Sequence, residues 1–202
     1  MKQTVPNFLQ SGDTIGISAT ARFATAESLA IAKRLIESEG FNCYYAPEIS
    51  KQHHQVAGTI TERVQHFNAL IHNPDIKAIW NIRGGYGSAE IVDLVDWEAL
   101  IAQPKWLIGF SDFTTFLCHG VQKGIATLHA PMPISFSTTH PDALTATFNV
   151  LRGKEDGLHC VLPKNIHGQI IAGNLSVIAS ILGTPSLPSL DDCVLIICLL
   201  YT

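Results

Sequence analysis

Basic residues are scarce in this sequence. Lysine and arginine number 13 against 17 aspartates and glutamates, for a formal net charge of −4. The clustered cations of a nucleic-acid footprint are missing, so nucleic acid is not an expected partner. Long apolar runs near the start are missing too. The opening MKQTVPNFLQSGDTIG lacks the hydrophobic core of a signal peptide, and no early stretch reaches membrane-span length. A cytoplasmic protein without a membrane partner is the expectation. Metal-type cysteine spacing is also absent. Cys43, Cys118, Cys160, Cys193 and Cys198 form no C-x-x-C pair, and the first three read as unpaired buried thiols. His53-His54 could suggest a metal, but adjacent histidines rarely face the same way, so a solvated loop is expected there. No metal or other cofactor is expected.

What is present is a globular composition. Hydrophobic residues make up 47% and charged residues 15% of 202 positions, enough for one large domain or one domain plus part of another. A chain of this length can bury roughly 70% of its unfolded surface.

Along the first 150 or so residues, two periods alternate. Short apolar runs read as strands at Thr14–Ser18, Asn42–Tyr45, Ile76–Ile82, Trp106–Gly109 and Ile125–His129. Helical patterns lie between them. Thr25–Glu39 places Leu29, Ala32, Leu35 and Ile36 on one face, with Gly40 after its end. Thr61–Asn73 places Val64, Phe67 and Ile71 on one face, with Thr61 as the expected N-cap and Pro74 beyond. Ser88 is the expected cap of a third helix, and Asp142–Leu151 forms another, closed by Gly153. Strand alternating with helix predicts an α/β fold, a parallel sheet covered on both faces. Lys154–His167 reads as a linker holding one short strand near Leu158–Leu162. GQIIAGNLSVIASILGTP then reads as a strand and a short helix, the opening of a second domain.

Ligands of such sheets bind beyond the carboxyl ends of the strands. Two loops fall there, Arg83-Gly84-Gly85-Tyr86-Gly87 and Phe110-Ser111-Asp112. A serine at a strand-to-helix turn exposes its hydroxyl, and the next N–H, that of Asp112, is available to a developing oxyanion. Gly84-Gly85 could bring a second donor, because glycine lets the backbone approach a reacting carbonyl closely. Plainer readings stand beside this one: Ser and Asp are ordinary N-caps, and R-G-G-x-G is an ordinary turn. The α/β-hydrolase elbow is not matched, since Phe113 stands where its second glycine belongs.

The ordered series R-G-G-Y-G, G-F-S-D and G-N-L-S, with GDTIGISATA and LHAPM, resembles the LD-carboxypeptidases from about Ser11 to about Leu190. That serine peptidase family includes muramoyltetrapeptide carboxypeptidases and microcin C immunity peptidases. The resemblance implies a flavodoxin-like N-terminal domain, residues 1–153. A linker, 154–167, and the start of a smaller β-rich C-terminal domain, 168–202, would follow. It implies removal of the terminal D-alanine from a murein tetrapeptide in cytoplasmic peptidoglycan recycling, without a metal, by an enzyme that is often a homodimer. Ser111 matches the nucleophile. The backbone N–H groups of Gly85 and Asp112 match the oxyanion hole. Gly84, Tyr86, Arg83 and His129 fall where substrate would bind. Arg83 could equally be a structural ion-pair partner.

Several positions depart from the family pattern. His129-Ala130-Pro131 replaces H-G-P, and Ala172-Gly173-Asn174-Leu175 replaces G-G-N-L. The family triad is Ser-Glu-His, with Glu and His in the C-terminal domain. The glutamate is expected near position 198, where this sequence has Cys198, and no region carrying the histidine follows. His119 lies two turns beyond Ser111 on the same helix, too far to serve as its base. The remaining histidines are expected at the surface. The tail CVLIICLLYT, 193–202, resembles read-through of foreign DNA and would make an aggregation-prone edge. A truncated enzyme with almost no activity is therefore expected. A microcin-immunity-type peptidase, or a non-catalytic muropeptide-binding or misfolded fragment, are the alternatives.

Overall fold

The computed structural model describes residues 3–154 and 166–198. Its elements run β1 (Thr14–Ser18), α1 (Ala26–Ser38), β2 (Asn42–Tyr44), α2 (Ile60–His72), β3 (Ile76–Asn81), α3 (Ser88–Ile91) and α4 (Trp97–Ala102). They continue with β4 (Trp106–Gly109), α5 (Thr114–Gln122), β5 (Leu128–His129), α6 (Pro141–Leu151), β6 (Gln169–Asn174), α7 (Leu175–Ser180) and β7 (Cys193–Cys198). The expected strand at Leu158–Leu162 and the thiol of Cys160 lie outside the described residues.

The first five strands form one parallel sheet in the order β2-β1-β3-β4-β5. This is the flavodoxin-like order, whose chain reversal lies beside β1 and β3. Alternation along the central strands divides the core. Ala78 and Trp80 of β3 and Trp106 and Ile108 of β4 pack with Leu29 and Ile36 of α1 and Phe148 of α6. Ile79 and Leu107, one residue out of phase, pack with Phe67 of α2, Leu100 of α4 and Phe116 of α5. Helices thus cover both faces, as the two periods require.

Element ends differ from the sequence reading for local reasons. The N-cap of α2 is Thr59, not Thr61. Its hydroxyl accepts the Glu62 N–H at 3.3 Å, and the Glu62 carboxylate accepts the Thr59 N–H at 2.9 Å. Ser88 does not cap α3. Gly87 holds that position at a φ of 136°, and Ser88 is the first helical residue. β5 is shorter than Ile125–His129, because the Ala126 N–H pairs with Thr4 of the N-terminal segment instead of with β4.

β6 and β7 form a second, two-stranded parallel sheet. Ile171, Ile178 and Ile181 pack with Cys118 of α5. The apolar run Cys193–Cys198 therefore has a partner, six consecutive residues in register from Gln169↔Cys193 to Asn174↔Cys198. Leu195, Ile196 and Ile197 nonetheless remain exposed.

Candidate active site

Ser111 opens a single 3-10 turn, Ser111–Phe113, between β4 and α5. Its φ is +59°, a left-handed conformation that costs a non-glycine residue energy and clusters at functional sites. Neither capping reading holds. The N-cap of the turn is Phe110, and the Ser111 hydroxyl makes no hydrogen bond among the described residues. The Asp112 carboxylate leaves its own helix and accepts the Ser88 N–H at 2.9 Å. Burial pushes the Asp112 carboxyl above its ordinary range, opposed by the Ser88 donors.

The R-G-G-Y-G loop lies directly against this turn. A Cβ on Gly84 would stand 2.9 Å from Ser111 Oγ and 3.5 Å from the Asp112 nitrogen. Gly85 has a φ of +138°, and a Cβ there would meet Arg22 Cγ at 2.7 Å. The backbone N–H groups of Gly85 and Asp112 have no acceptor among the described residues. Together these groups line a cavity of about 850 Å³ that also takes in Arg22, Arg83, Tyr86, Met132 and Ser176. Tyr86 is 85% exposed at its mouth.

A buried polar scaffold fixes the two loops. Asn81, at the carboxyl end of β3, accepts from Ser18 Oγ and Thr20 N–H at 3.1 Å each, and donates to the Arg83 carbonyl at 2.7 Å. Arg63 of α2 reaches beneath the loop. Its Nη1 donates to the Thr20 and Gly87 carbonyls at 2.8 Å each, and its Nη2 pairs with Glu90. Gly87 must be glycine here, because a Cβ would lie 2.6 Å from Arg63 Nη1. α7 closes the far wall: the Asn174 N–H donates to Thr114 Oγ1 at 3.0 Å, and Asn174 Oδ1 accepts the Val177 N–H.

The structure therefore brings Ser111, Asp112, Gly84, Gly85, Tyr86 and Arg83 together around one cavity. His129 lines a neighbouring cavity of about 580 Å³ with Cys118 and Ile171, and its ring stands 6.2 Å from that of Phe110, which lines the Ser111 cavity. Arg83 has no carboxylate within ion-pair distance among the described residues. His119 turns away from Ser111, stacking on Trp97 at 4.6 Å and sharing a hydrogen bond with Ser186 Oγ at 3.0 Å. It is buried, and His66 is half-buried, so the remaining histidines are not all at the surface. His53 and His54 are exposed, as a loop requires, but their rings meet edge to face at 4.6 Å instead of facing apart. Burial pushes the Cys118 thiol up to about 11 and the half-buried Cys43 thiol up to about 12, as expected of inert cysteines.

Sequence reasoning missed Arg22, Arg63 and the Ser18–Asn81 pair. Arg63 carried a signal, since it stands four residues before Phe67 on the stripe that α2 buries. Arg22 follows β1 at the carboxyl edge of the sheet, and the strand order that sets β1 beside β3 is what brings it to the cavity.

A strained serine facing a cavity, with two unpaired N–H groups beside it, suits acyl transfer. Comparison with known proteins agrees. Residues 15–130 match the model of the LD-carboxypeptidase N-terminal domain. The chain is 28% identical to the microcin C7 self-immunity protein MccF of Escherichia coli, over 90% of its own length and 64% of that protein's. It is 27% identical to the murein tetrapeptide carboxypeptidase of Pseudomonas aeruginosa, over 84% of its length and 60% of that protein's. The chain thus spans less than two thirds of these curated relatives. The solved structure of MccF in complex with glutamyl sulfamoyl guanosine superposes with a TM-score of 0.82 at 26% identity, covering 96% of this chain and 70% of that one. With these motifs, this fold and this match, the chain belongs to the LD-carboxypeptidase family of serine peptidases.

Proposed function

We propose that Ser111 is the nucleophile of an LD-carboxypeptidase that releases the terminal D-alanine of a murein tetrapeptide in the cytoplasm. Ser111 Oγ attacks the amide carbonyl before the terminal residue. The oxyanion that forms accepts the N–H groups of Gly85 and Asp112, each such donor being worth about a hundredfold to a thousandfold in rate. A histidine takes the serine proton and passes it to the leaving amine, and water then hydrolyses the acyl-serine. The family resemblance assigns that histidine and its glutamate to the C-terminal domain. Among the described residues no histidine lines the Ser111 cavity. In this reading residues 1–153 form the nucleophile domain, and 168–202 open the second domain.

The observation that carries the proposal is the left-handed Ser111 held against Gly84, with its hydroxyl free. A second reading, cleavage of a peptidyl-nucleotide, is favoured by the overlap with MccF. Both substrates would be incubated with the protein and with Ser111→Ala, and D-alanine and nucleotide release followed by chromatography. Release of D-alanine that Ser111→Ala abolishes supports the first reading. Nucleotide release alone supports the second. Turnover that survives in Ser111→Ala removes both, as does failure of both substrates in a chain extended through the domain that carries the histidine and glutamate.

A further inference from the structure

Five arginines occur in the sequence. Arg34 is exposed, and the other four are buried or half-buried. Two of these four have a glutamate: Arg63 pairs with Glu90, and Arg152 pairs with Glu39 at 2.8 Å. The other two, Arg22 and Arg83, meet no carboxylate among the described residues, and both line the Ser111 cavity. Partly burying two like charges together without a counter-charge is unfavourable. Burial, and the charge of Arg22 beside it, hold the Arg83 guanidinium below its ordinary value.

Arg22 is built into this position. Its stem crosses the face of Gly85, where a Cβ would come within 2.7 Å of Cγ and 3.2 Å of Cδ. Its Nη2 donates to Gln55 Oε1 at 2.7 Å, a neutral partner that orients the guanidinium without neutralising it. Its backbone is held by an antiparallel bridge to Val56. Arg83 immediately precedes Gly84, and its carbonyl is fixed by Asn81. The Arg22 stem therefore crosses the loop that touches the serine, and Arg83 belongs to that loop.

We propose that Arg22 and Arg83 together bind the free terminal carboxylate of the peptide residue that Ser111 would release. This rests on the carboxypeptidase reading and specifies what it selects. A planar guanidinium fork matches a carboxylate bidentately, and a terminal carboxylate sits only a few bonds from the scissile carbonyl. The arginines then decide exopeptidase selectivity. They do not take part in the proton transfers.

The test is equilibrium binding by calorimetry, in a Ser111→Ala background that prevents turnover. The ligands are L-Ala-γ-D-Glu-L-Lys-D-Ala as the free acid and as its terminal amide. The free acid is expected to bind at least roughly tenfold more tightly than the amide, the scale of a lost charge-assisted contact. Arg22→Gln or Arg83→Gln should weaken the acid and leave the amide unchanged, and Arg83→Lys should recover part of the loss. Equal binding of acid and amide with both arginines intact overturns the inference and leaves the peptidase reading standing. That comparison needs no arginine variant to fold. If neither ligand binds, the tetrapeptide reading falls and the inference with it.

Discussion

Gly84 and Ser111 touch so closely that the glycine has no room for a methyl group, which would stand 2.9 Å from Oγ and 3.0 Å from Cβ of the serine. The backbone at Gly84 is not left-handed, so alanine is allowed there by φ and is excluded only by the serine. This contact makes two distant stretches of sequence into one site.

Gly84→Ala should therefore act on Ser111 rather than on the fold. The expected result is a loss of roughly a hundredfold in Ser111-dependent turnover, the scale of a reacting group misplaced by about 1 Å. Thermal melting should change little. Unchanged turnover would mean that the loop does not position the serine.

Asp112 tests the coupling of the loops from the other side. Its carboxylate is the acceptor for the buried Ser88 N–H. Asp112→Ala leaves that donor unpaired and is expected to cost about 1–3 kcal/mol of stability in urea unfolding. Asp112→Asn retains an acceptor and should cost markedly less. Equal losses would show that the charge, not the hydrogen bond, matters.

Thr114 carries the docking of the second sheet. Its hydroxyl accepts the Asn174 N–H, and a Cβ on Gly173 would run into its methyl. Thr114→Val keeps the shape and removes the acceptor, for an expected loss of about 1–3 kcal/mol. Protection of the Asn174 amide in hydrogen exchange should fall with it. Unaltered protection would separate β6 from α5 energetically.

Acid should destabilise the protein before its carboxylates titrate. His66, His119 and His129 each have a buried Nε2 without a partner, and burial holds all three below the ordinary 6.5. Unfolded imidazoles therefore take up protons at a pH where the folded ones stay neutral. The stability they confer is present above pH 6.5 and is lost as the pH falls through that value. Melting temperature should drop between about pH 7 and pH 5, and His129→Gln should flatten the slope. A melting temperature that holds or rises across this window would contradict the burial of these rings.

Much of this was written locally. The 3.6-residue stripes of α1 and α2 and the apolar runs of β1, β3 and β4 name their elements, because burial on one face leaves a periodic trace. The parallel sheet follows from the alternation of those runs. The two loops were legible too, since glycine at a strand end and serine before a helix are local backbone requirements.

The sequence by itself determined the class of fold, the family, and the identities of Ser111, Gly84 and Gly85. Only the tertiary structure decided which of the named residues share a cavity. It set His129 in a neighbouring cavity beside Phe110 and added Arg22, which stands about ninety residues from Ser111 in the chain. It also decided that Asp112 serves Ser88 and not its own helix, and that Cys193–Cys198 pairs with β6. The physical reason is the same in each case. Periodicity records which face of an element is buried, but a hydrogen bond or a contact between elements depends on strand order and register, which no single stretch of sequence contains.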